Sequence, residues 1–211
     1  SHPKLQYHAD GTPSVLKKRT DYTKLRFYQR SDVLYQLTKA FCTRFLPKFG
    51  DRTVDQMVQS ARSIKQNIVE GFTDGQTSSE VEIKLLGIAR GSNQELLEDY
   101  MDYLKYNRIT EWRGNSPRFE ALYAFCKEHS QLADFQPYFD KWTDEEIANC
   151  CICMCHMVDK GLDSYIKMLD KQFVEEGGIR ERMTAARLEK RASQKEQIEQ
   201  LKAENAALRR E

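Results

Sequence analysis

Glycine and proline are scarce in this 211-residue chain, with ten of the first and five of the second. Sheet-rich folds need turn residues every ~8–12 positions, so long stretches without either residue exclude a β architecture and point to helices. Long apolar runs are also missing. The longest uncharged run in the later chain, residues 147–158, has 12 residues, well short of the ~20 that a membrane-crossing helix requires. No apolar signal core follows the first residues, and Ser1 with His2 reads as the remnant of a removed tag. A cytoplasmic protein with no membrane role is expected, its six cysteines reduced.

Catalytic fingerprints are absent as well. The chain contains no GxxxxGK[ST], GxGxxG, HExxH or GxSxG pattern. A di-iron site in a helical bundle needs Glu-x-x-His pairs, but Cys126 stands three residues before His129 and Cys153 three before His156. Cys150 and Cys153 have CxxC spacing without the His-x-Glu and Pro that a zinc deaminase adds. The expectation is a protein that is not an enzyme and uses no cofactor or metal.

What is present is charge, unevenly placed. The whole chain carries +1, yet residues 1–50 hold ten Lys and Arg against three Asp, a net of +7. Such asymmetry suits a polyanion-facing surface on an otherwise neutral molecule. Lys17, Lys18, Arg19, Lys24, Arg26, Arg30, Arg44, Lys48, Arg52, Arg62 and Lys65 are the candidate phosphate contacts. The partner they imply is RNA or DNA bound through its backbone, without sequence preference.

Apolar spacing predicts four long helices. Leu34, Leu37, Phe41 and Phe45 mark the first, from about Tyr22 to Leu46, and Val54, Met57, Ala61, Ile64 and Ile68 the second. Gly71 suits the position just past the end of the second helix. Ser79 with Glu82 has capping-box spacing and opens the third, whose face runs Val81, Leu85, Ala89, Ser92, Leu96, Tyr100 and Tyr103. Gly91 and Ser92 would let a neighbouring helix come close. Thr143 with Glu146 opens the fourth, which runs to about Gln172. The fold class is all-α: an antiparallel four-helix bundle over 21–176 with an insertion at 108–141, preceded by a flexible basic arm at 1–20. Residues 177–211 add a C-terminal helical extension.

The stretch NCCICMCHM (149–157) places four cysteines and one histidine in nine positions. A structural zinc site wants two ligand pairs from separate segments, and Cys42 and Cys126 each stand alone. On the fourth helix the thiols fall within a broad apolar face, so they read as small packing residues in the core or at a subunit contact. In the tail, Ile198, Leu201, Asn205 and Leu208 occupy a, d, a, d positions of a short coiled-coil seam, and the asparagine would fix register.

One pattern resembles a known family. SARSIKQNIVEGF (60–72) followed by SSEVEIKLLGIARGSNQELLEDY (78–100) is similar to bacterial four-helix-bundle proteins encoded in 23S rRNA intervening sequences. The extra material at 108–141 and after Gly177 is similar to the suffix-domain subgroup. The resemblance is carried by Ser63, Asn67, Ile68, Glu70 and Gly71, and by Ile88, Ala89, Gly91, Ser92, Glu95, Leu96 and Glu98. It implies a non-enzymatic accessory protein that forms a homo-oligomer, pentameric in relatives. Through the related accessory protein of diversity-generating retroelements, it also implies nucleic-acid binding and a partner enzyme such as a reverse transcriptase. Asn67, Glu70, Gly71, Gly91, Ser92 and Glu95 are expected to be structural, the first three ending the second helix. The alternative is a protein–protein scaffold that binds no nucleic acid.

Overall fold

The computed structural model describes residues 5–17, 20–46 and 52–209. Its helices are α1 (Arg26–Phe45), α2 (Arg52–Asp74), α3 (Ser79–Tyr106), α4 (Pro117–Glu128), α5 (Leu132–Phe135), α6 (Asp144–Glu176) and α7 (Ile179–Leu208). The fold is all-α, with two short strands among the described residues, β1 (Gln6–Tyr7) and β2 (Pro13–Ser14). Helices α1, α2, α3 and α6 form the bundle: α1 and α3 each pack against both α2 and α6.

Cross-helix pairs fix the directions. Ser60 meets Glu95 and Ser63 meets Ser92, so position rises along α2 as it falls along α3. Lys65 meets Asp32 and Phe72 meets Phe27, which sets α1 against α2. Arg90 holds Asp159 and Asp163, while Tyr103 donates to Asp144, so α3 and α6 are antiparallel too. Across the diagonal, the fully buried Tyr100 donates its hydroxyl to Thr38 at 2.9 Å. The bundle core buries Leu34, Leu37, Phe41, Met57, Ile64, Ile68, Leu96, Ile147 and Met154, all closed to solvent. Burial of this apolar surface is the principal source of stability.

Helix signals explain most boundaries. Thr143 and Glu146 form a reciprocal capping box at the start of α6. Ser116 caps α4, with Pro117 at its first position. Gly177 closes α6 with φ +72°, a backbone region that glycine enters without strain, and so separates α6 from α7.

Three expectations are corrected. The cap of α3 is Ser78, which accepts from Val81 N, while Ser79 is buried at the first helical position. Adjacent serines present the same signal one residue apart. The buried line of α3 therefore runs Glu82, Leu86, Ala89, Asn93, Leu96, Tyr100, with Val81 exposed. Gly71 does not end α2, which continues to Asp74; it is buried against α3, where an added Cβ would lie 3.4 Å from Leu86 Cδ2, an ordinary contact distance. At Gly91, by contrast, an added Cβ would meet nothing within 4 Å, and Asn93 is the neighbour that faces inward, donating to Cys155 O.

The cysteine stretch is buried on all sides. Every residue from Ile147 to Cys155 is closed off, whereas His156 is exposed. Helices α1 and α3 cover one side, and α4, from the insertion, covers another. Cys126 of α4 brings its Sγ to 3.8 Å from that of Cys150. Of the two expected placements, core or subunit contact, the core is the one seen within the chain: the breadth of this apolar face is covered by α4 as well as by α1 and α3.

Candidate functional surfaces

The described basic residues of the first third do not gather on one outer face. Arg30 is buried and donates from Nη2 to Cys126 O at 3.0 Å. Arg26 donates to Glu128 O at 2.6 Å. Both carbonyls lie in the last turn of α4, where four C=O groups lack helical partners and the helix dipole is negative. Arg44 donates to Phe139 O and lies over the ring of Phe45. Three arginines of α1 therefore clamp the insertion onto the bundle. Lys65 pairs with Asp32 at 2.6 Å and Lys24 with Asp21 at 3.5 Å.

Lys17 is drawn inward as well. Its Nζ is buried with no hydrogen-bond partner among the described residues, near Glu82, Glu176 and Arg182, and burial lowers its pKa. Arg30 is closed to water and Lys17, though half-buried, has its Nζ turned inward, so neither cationic group is presented to a polyanion. Arg52 and Arg62 are exposed on α2. Lys18, Arg19 and Lys48 lie outside the described residues.

The arm at the N-terminus is also not simply extended. Gln6 pairs with Ser14 and Tyr7 with Pro13, forming a small antiparallel ladder. Arg182 of α7 donates from Nε to Val15 O and from Nη1 to Gly177 O, and Tyr7 donates to Glu189. Irregular sequence with Gly11 and Pro13 gave no period-2 signal, which is why periodicity missed this two-residue pairing.

The family-like motif residues lie together between α2 and α3. Asn67 Nδ2 donates to Ser63 O and Ser63 Oγ, Ser63 Oγ lies 2.9 Å from Ser92 Oγ, and Ser60 donates to Glu95. This polar ladder locks the register of two neighbouring helices. Glu70 is exposed on α2. At the same junction, Arg52, Asp55, Ser60, Glu95 and Asp99 line an open cleft of about 630 Å³. Burial, then Glu95 and Asp102, raise the pKa of Asp99. The folded state thus holds the proton of Asp99 more tightly than the unfolded chain does. Asp99→Asn is expected to raise the melting temperature at pH 7, where the native carboxylate is penalised. The gain should fade as pH falls through the raised value and vanish below the ordinary carboxylate range; melting curves at pH 7 and pH 3 check this.

Ile198, Leu201 and Leu208 are 51, 57 and 70% exposed along α7, and every described residue from Arg187 to Arg209 is exposed. Asn205 donates only to Leu201 O, within its own helix. The residues that heptad spacing marks therefore lie exposed on the outer half of α7.

Sequence reading missed one feature altogether. Trp112, Arg118, Leu122, Phe125, Trp142 and Glu145 line a cleft of about 430 Å³ between the insertion and the start of α6. Two isolated tryptophans 30 residues apart give no spacing signal, and only the fold brings them together.

The described residues contain no group of three or more His, Cys, Asp or Glu placed to hold a metal ion. Burial raises the pKa of the Cys150 thiol, keeping it protonated. None of the described helices is long and apolar enough to cross a membrane. Comparison with curated proteins and with solved structures gives no match. The model of the 23S rRNA-intervening sequence protein family matches residues 23–132, which covers α1 to α4 and the α2–α3 polar ladder. The chain belongs to the 23S rRNA-intervening sequence protein family.

Proposed function

We propose that this protein is a non-catalytic helical adaptor that works by binding proteins, further copies of itself included. The exposed seam of α7 carries this reading. Apolar side chains at Ile198, Leu201 and Leu208 stand in water on one side of a 30-residue helix, and a helix of that kind gains stability by covering its seam with another. Two heptads associate weakly alone, so the bundles would have to bring the tails together. Light scattering on the full chain should give an assembled mass, and Ile198→Glu with Leu201→Glu should lower it. A monomeric wild type, or a mass that the substitutions leave unchanged, would overturn the reading.

Nucleic-acid binding, with a reverse transcriptase or similar enzyme as partner, is the second reading. The net charge of +7 in residues 1–50 favours it. It would fall to Lys18, Arg19, Lys24, Lys48, Arg52 and Arg62, because Arg30 and the Lys17 Nζ are buried and Arg26, Arg44 and Lys65 are engaged within the protein. Neutralising phosphates releases counterions, so binding of this kind weakens steeply with salt.

A further inference from the structure

The cleft between the insertion and α6 is built from aromatic faces and acid. Trp112 and Trp142 line it, Trp142 with one face stacked on Tyr138; Phe125 of α4 lies edge-on to Trp142, and Asp144, Glu145 and Glu146 begin α6. Glu146 is occupied by the capping box with Thr143, and Asp144 accepts from Tyr103. Glu145 faces the cleft: its Oε1 accepts from Trp112 Nε1 at 2.7 Å and from Arg118 Nη1 at 3.1 Å.

Arg118 shows what the cleft accepts. Its guanidinium lies 5.4 Å from the Trp112 ring centre while pairing with Glu145, although the side chain is still 68% exposed. An aromatic face beside a carboxylate is the environment that stabilises a planar cation. Arg118 occupies only the rim, and about 430 Å³ remains. That volume exceeds a single guanidinium and suits a short stretch of chain. The acids Glu145 and Glu146 line the cleft against Arg118, and Glu111 and Asp144 flank it with Arg113 and Lys141, a small acidic excess that disfavours a phosphodiester backbone and favours a basic one.

We infer that this cleft docks a basic segment of a partner protein, taking an arginine side chain between the tryptophans and Glu145. The inference deepens the protein-adaptor reading and rests on it. Arg118 then acts as a resident competitor at the rim, and an incoming arginine shares or displaces its contact with Glu145.

The chain has two tryptophans, and both line the cleft, so intrinsic tryptophan fluorescence reports on this site directly. The probe is a capped Gly-Arg-Gly-Arg-Gly peptide titrated into the full-length protein. Its control is the same peptide with neutral citrulline in place of arginine. The arginine peptide should give a saturable change, with the citrulline peptide weaker by about tenfold. Glu145→Gln, which keeps an acceptor for Trp112 Nε1, should weaken the arginine peptide by a similar factor with helicity unchanged by circular dichroism. Arg118→Ala should tighten it by about threefold. A flat titration, equal binding of both peptides, weaker binding by Arg118→Ala, or a response to an RNA oligonucleotide instead would each overturn the inference. A flat titration in a protein whose α7 seam still drives assembly would sink this inference alone, leaving the adaptor reading intact.

Discussion

Arg30→Ala is expected to destabilise the protein by about 2–3 kcal/mol, from lost packing and an orphaned carbonyl at the end of α4. For a chain of this size that corresponds to a fall of roughly 4–12 °C in melting temperature. Arg30 is 8% exposed, and its guanidinium spans from α1 to Cys126 O. Removing it leaves that buried carbonyl without its donor and opens a gap beside Cys126. Arg30→Met restores much of the volume but not the hydrogen bond, so about half of the loss should remain. Thermal melts of the two variants separate packing from capping. Equal stability of wild type and Arg30→Ala would mean that the clamp contributes nothing.

Gly161→Val should be at least as damaging. Gly161 lies on α6 where α1 crosses, and a Cβ added there would come 2.9 Å from Phe27 Cβ and 3.3 Å from its Cδ1. The first of these atoms is anchored to the α1 backbone and cannot swing away. Two effects oppose each other at this position. Replacing a helical glycine favours the helix by roughly 0.5–1 kcal/mol, while overpacking costs about 1–3 kcal/mol. For alanine the terms partly cancel. Valine adds two more methyl groups and loses rotamer freedom in a helix, so the clash wins and a loss of about 3 kcal/mol is expected. Chemical denaturation of Gly161→Ala and Gly161→Val gives the comparison, with alanine falling between wild type and valine.

These two sites show where sequence reading succeeds and where it stops. The four long helices were legible because apolar residues recur along them at helical spacing, and because Thr143 with Glu146 marks the start of α6. The resemblance of residues 60–72 and 78–100 led to the family that matches residues 23–132. Net charge in the first third was legible as well, but its destination was not. Whether Arg30 meets a phosphate or a carbonyl depends on where the chain returns after a hundred residues, and helical periodicity within α1 cannot say. The insertion is the missing piece throughout. Its α4 covers the cysteine stretch, receives Arg26 and Arg30 at its C-terminal carbonyls, and with the loops around Trp112 and Trp142 frames the aromatic cleft. Its irregular spacing gave no handle on that placement, although it determines the surroundings of every one of these residues. Gly71 and Gly91 make the same point at short range. One lies against Leu86 and the other faces open space, and nothing in the residue type tells them apart.

The most direct test of the account concerns the positive charge of α1, which here holds the insertion in place. Arg26 and Arg44 are exposed and bond to backbone carbonyls of that insertion, so they are accessible both to the fold and to a phosphate. The measurement is RNA-oligonucleotide affinity of Arg26→Ala with Arg44→Ala at low salt, read beside the melting temperature of the same protein. The account predicts affinity indistinguishable from wild type with a lowered melting temperature. An affinity lowered by about tenfold, the order expected on losing phosphate contacts, with the melting temperature unmoved would contradict it.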